Sequence, residues 1–87
     1  MKGSCNAMPL IYCVEDEESI RELILCALKS GGFECRGFED SKMLFDALKE
    51  QKPSLILLDV MLPEEDGFKT LQKIKSSSLY SSIPVMM

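Results

Sequence analysis

The chain reads as an α/β domain built on a doubly wound parallel sheet. Three observations predict this class. Leu10–Val14 and Leu55–Leu58 are short, unbroken apolar runs, the pattern of strands covered on both faces. Between such runs lie stretches with apolar residues at helical spacing. The two kinds of segment alternate along the chain, which implies right-handed crossovers between parallel strands.

Leu10-Ile11-Tyr12-Cys13-Val14 is the first strand, and it breaks off abruptly in Glu15-Asp16-Glu17-Glu18. Ile20, Leu23, Ile24, Ala27 and Leu28 then make an amphipathic helix from about Ser19 to Ser30. Glutamates in its first turn suit the positive end of the helix dipole. Gly31-Gly32 stops it, because glycine accepts the left-handed backbone of a helix C-cap. Phe33 to Phe38 alternates weakly as a second strand.

Asp40 or Ser41 caps a second helix whose apolar face is Leu44, Ala47 and Leu48, with Met43 at its edge; Pro53 ends it. The third strand, Leu55-Ile56-Leu57-Leu58, leads straight into Asp59, and Pro63 and Gly67 punctuate the loop that follows. A third helix runs from about Gly67 to Lys75, burying Phe68, Leu71 and Ile74. After the loop at Ser76-Ser77-Ser78, Ile83 to Met87 begins a fourth strand, with Pro84 near its start.

A chain of 87 residues, 46% hydrophobic, suits one small domain with a modest core. Met1 to Ala7 shows no periodicity and reads as a leader ahead of a start near Met8, so residues 8–87 carry the fold. A net charge of -4 gives no reason to expect nucleic-acid or membrane binding. No apolar run approaches the roughly 20 residues of a membrane span, and no secretory signal is visible, so a cytoplasmic protein is expected. The four cysteines, Cys5, Cys13, Cys26 and Cys35, are not spaced as zinc ligands, and the chain has no histidine to complete such a site. Cys13, Cys26 and Cys35 are expected to be small buried thiols.

Two strands thus end in carboxylates, Glu15-Asp16 and Asp59. Open α/β sheets place their reactive groups at the carboxyl ends of strands. If the two strands are neighbours, these acids meet in one crevice and repel, which raises their pKa values or recruits a cation. Mg2+ suits an all-oxygen site. Beneath it an ionised aspartate can act as a nucleophile toward a phosphoryl group. The bland account is that Glu15 to Glu18 only cap a helix and Asp59 only opens a turn. The combination of both acids at the ends of two buried strands is far more specific than either alone.

These residues resemble the receiver domain of two-component response regulators, of flavodoxin-like fold and strand order 2-1-3-4 over the part present. The motifs are Val14-Glu15-Asp16-Glu17, and Leu57-Leu58-Asp59-Val60-Met61-Leu62-Pro63 with Asp66-Gly67. The Asp16 to Asp59 spacing also fits, and the likeness covers roughly Met8 to Met87. The resemblance implies that Asp59 is the phosphoacceptor and Asp16 a direct Mg2+ ligand. Glu15 would hold a metal-bound water, and the Met61 backbone carbonyl would complete the set. The implied donor is a sensor histidine kinase or a small acyl phosphate, and the domain is no enzyme beyond its own phosphorylation and dephosphorylation.

Glu15 stands where the family more often has aspartate. The family's hydroxyl after the fourth strand and lysine after the fifth have no counterpart, and Lys52, Lys69 and Lys73 fall in other elements. The chain therefore reads as the N-terminal part of a receiver domain, truncated after the fourth strand, with weak Mg2+ binding and poor switching expected. Such a piece would leave Val85-Met86-Met87 as an apolar edge and part of the first helix uncovered, which predicts a homo-oligomer. The alternative is a receiver-like protein-interaction module without phosphorylation. A haloacid-dehalogenase-type phosphatase is disfavoured, since Met61 occupies the place of its second aspartate. A dinucleotide or flavin protein would need a glycine- or hydroxyl-rich loop where this chain has acids.

Overall fold

The computed structural model describes residues 9–58 and 67–86, with residues 67 and 68 known by backbone only. Its elements are β1 (Leu10–Val14), α1 (Glu18–Ser30), β2 (Glu34–Phe38), α2 (Ser41–Glu50), β3 (Leu55–Leu58), α3 (Gly67–Ser76) and β4 (Val85–Met86). The four strands form one sheet in the order β2-β1-β3-β4, and every neighbouring pair is parallel. This is the doubly wound arrangement that the alternation of elements predicts.

The helix ends follow from local chemistry. The Asp40 side chain caps α2 by accepting a hydrogen bond from Met43 N at 2.9 Å. At the end of α1 it is Gly32 that takes the left-handed backbone, with φ +90, while Gly31 has φ -82. Gly32 N donates to Lys29 O and Phe33 N donates to Leu28 O, both at 3.1 Å, which is the Schellman arrangement.

The core lies on one side of the sheet. Alternation sends Leu10, Tyr12 and Val14 of β1 to the same face as Ile56 and Leu58 of β3, where Leu44, Ala47, Leu48 and Ile74 close over them. The Tyr12 hydroxyl donates to Gln51 O at 3.1 Å, tying the central strand to the end of α2. The Tyr12 and Phe38 rings meet edge to face at 5.1 Å. Met43 stays largely exposed, off the apolar face of α2, and the Phe68 side chain lies outside the described residues.

The opposite face is covered more thinly. Here α1 packs against β2 and β1, and Gly37 permits the approach. A Cβ at Gly37 would lie 2.8 Å from Leu25 Cδ1 and 3.0 Å from Arg21 Cγ and Cδ. No residue of α1 is buried, and Leu23 is 70% exposed. Leu55 and Leu57 are only half-buried, so β3 is fully covered on its α2–α3 face alone. Of the cysteines, Cys13 is buried as expected, Cys35 is half-buried, and Cys26 is exposed because it sits on the outer surface of α1.

Candidate functional site

The β1–β3 register runs Ile11↔Leu55, Tyr12↔Ile56, Cys13↔Leu57 and Val14↔Leu58. The two strands therefore finish side by side at the same end of the sheet. Beyond Val14 the chain continues into Glu15-Asp16, and beyond Leu58 into Asp59. The structure brings together the strand ends that lead to the predicted acids. Asp59, Met61 and Pro63 lie outside the described residues.

Hydrogen bonds define the turn between β1 and α1. Glu15 N donates to Phe38 O at 2.9 Å, extending the ladder to β2 by one residue. The half-buried Glu15 side chain curls back, and its Oε2 accepts from Glu17 N at 3.1 Å. Ser19 Oγ donates to Glu17 Oε1 at 2.9 Å. Glu17 is the N-cap of α1 and makes no side-chain cap bond. The Glu15 carboxylate and Glu18 in the first turn serve the start of the helix, while the Asp16 carboxylate takes no part in it.

Asp16 is exposed, and its carboxylate has no hydrogen-bond partner among the described residues. An unengaged aspartate beside a half-buried glutamate is a hard, all-oxygen donor pair, the chemistry that suits Mg2+ rather than a softer ion. Among the described residues no three metal-ligating side chains gather at one point. Glu15 and Asp16 are the two of the four predicted ligands that can be placed.

A groove of about 190 Å³ opens from Glu15 along the thinly covered face of the sheet, between Ile24 of α1 and Leu57 and Met86. One residue that the sequence did not point to belongs to the site. Arg21, one turn into α1, donates from Nη1 to the Glu15 carbonyl at 2.7 Å. Nothing in helical spacing shows that a polar position reaches back into the preceding turn.

The fold is that of a doubly wound α/β domain, which places its reactive groups and ligands at the carboxyl ends of its strands, where β1 and β3 finish together. The chain belongs to the response regulator receiver domain family, whose model matches residues 11–87. It is 39% identical over 77 residues to the phosphate regulon transcriptional regulatory protein PhoB of Pseudomonas aeruginosa, covering 88% of this chain and 34% of that protein. The chain thus spans about a third of that relative's length. The N-terminal domain of a response regulator receiver protein from Methanoculleus marisnigri superposes with a TM-score of 0.86 at 30% identity, over 91% of this chain and 64% of the other. The phosphorylated cyanobacterial phytochrome response regulator RcpA superposes with a TM-score of 0.81 at 33% identity, over 91% and 63%.

Proposed function

We propose that this receiver domain takes a phosphoryl group from a sensor histidine kinase onto Asp59, with Mg2+ bound by Asp16 directly, by Glu15 through water, and by Asp59 and the Met61 carbonyl. The observation that carries this is the Val14↔Leu58 pairing, which ends both acid-bearing strands at one edge, with the Asp16 carboxylate unengaged among the described residues. In the transfer, an Asp59 carboxylate oxygen bonds to phosphorus as the phosphorus–nitrogen bond to the donor imidazole breaks. The imidazole takes up a proton as it leaves. Mg2+, when bound, offsets charge on the transferred group. The chain acts on itself and turns over no separate substrate. A cytoplasmic location suits such a partner.

The exposed Ile20 and Leu23 on α1, directly after the acidic turn, suit the docking of a partner beside the phosphoacceptor. The same apolar surface, with Met86 of β4, favours a second account in which the chain works as a protein-interaction module and associates with its own copies. Intact-mass spectrometry after incubation with acetyl phosphate and Mg2+ separates the two. A single phosphoryl adduct that is lost in Asp59→Asn supports phosphoacceptance. A folded sample without an adduct supports the interaction module.

A further inference from the structure

We infer that Arg21 is a positioning residue that sets the orientation of the acid pair; the inference rests on the Mg2+-binding role proposed for Glu15 and Asp16. The Glu15 carbonyl that accepts from Arg21 Nη1 at 2.7 Å belongs to the peptide plane joining Glu15 to Asp16. Holding that oxygen fixes ψ of Glu15 and φ of Asp16 together, and with them the direction in which the Asp16 side chain leaves the backbone. The other side of Glu15 is held by its N–H bond to Phe38 O. The turn is thereby gripped from β2 and from α1.

The grip is itself anchored. The Arg21 stem lies against Gly37, where a Cβ would come within 3.0 Å of both Cγ and Cδ. Arg21 N also donates to Glu17 O at 2.9 Å, closing the first turn of the helix over the same loop. A guanidinium suits this place because it stays charged and its donors are rigidly placed, so a carbonyl hydrogen bond holds without competing deprotonation. Preorganising two carboxylates that repel each other is the step a divalent ion would otherwise have to drive on binding.

The test compares Arg21→Met, which keeps a stem over Gly37 and removes the donors, with Arg21→Lys, which restores one. Amide hydrogen exchange is read at Glu15 and Glu17, whose N–H groups donate to Phe38 O and Glu15 Oε2, in the metal-free chain, and Mg2+ affinity by calorimetric titration. Arg21→Met is expected to exchange at least tenfold faster at these two amides, with Ile56 and Leu57 unchanged, and to bind Mg2+ about tenfold more weakly. Arg21→Lys is expected to recover most of both. Unchanged exchange at Glu15 and Glu17 in Arg21→Met overturns the inference, whether or not metal binds. Faster exchange with undiminished Mg2+ affinity also overturns it. A parent chain that binds no Mg2+ removes the metal role of the acids, while the exchange readout still decides whether Arg21 holds the turn.

Discussion

Val14 and Leu58 face each other as the last register pair between the two central strands, so the chain leaves both strands at one edge of the sheet. Each is followed directly by the acids on which the functional account depends. The chemistry needs no long-range adjustment of the fold to assemble, because the register of a parallel ladder, once set by the buried Ile56 and Tyr12, sets where its ends fall.

The end of α1 offers a prediction that two adjacent glycines answer differently. Gly32 has φ +90 and nothing within 4 Å of a would-be Cβ, so Gly32→Ala meets backbone strain alone. A loss of about 1 kcal/mol in urea denaturation is expected. Gly31 has an ordinary φ of -82, and its Cβ would reach the Phe33 ring at 3.4 Å. Gly31→Ala is expected to be neutral or stabilising by roughly 0.5 kcal/mol.

Thr70 is fully buried in α3, and its hydroxyl has no hydrogen-bond partner among the described residues. An unpaired buried hydroxyl costs free energy that a methyl group of similar shape does not. Thr70→Val is therefore expected to raise stability by about 1 kcal/mol, seen as a Tm higher by roughly 4–8 °C for a domain of this size. A fall of similar size would show that the hydroxyl is bonded.

The exposed side of α1 makes a functional prediction. Leu23 is 70% exposed and α1 has no buried residue, so Leu23→Lys is expected to leave folding stability within about 0.5 kcal/mol of the parent. If this face receives the kinase, transfer from its phosphohistidine slows at least tenfold while phosphorylation by acetyl phosphate keeps its rate. Equal rates from the kinase in both chains would remove α1 from the docking surface.

Much of the fold was legible because it depends on periodicity. Apolar runs marked β1 and β3, the spacing of Leu44, Ala47 and Leu48 marked the inward face of α2, and the alternation of elements implied a parallel sheet, whose strand order came from the resemblance to receiver domains. The less legible features depend on which surfaces meet. The stripe through Ile20, Leu23 and Ile24 identifies a helix, but helical spacing alone does not say that it stays largely uncovered while α2 buries its own. Gly31 and Gly32 look alike as a pair, and only backbone geometry assigns the left-handed turn to the second. At the site, the acids could be read from where the strands stop. Arg21 could not, because its role arises from a bond six residues back along the chain, through a side chain lying over a glycine of another strand.

The central claim, that Asp16 and Asp59 serve one divalent-ion pocket, is tested most directly by titrating the isotopically labelled chain with Mn2+ in place of Mg2+ and following amide signals. The account predicts that the amides of Asp16 and Leu58 lose intensity together at the same Mn2+ concentration. Those of Gly32 and Lys52, at the opposite end of the sheet, should persist, and either Asp16→Asn or Asp59→Asn should raise the concentration needed at least tenfold. Broadening confined to Asp16, or insensitivity to Asp59→Asn, would contradict it.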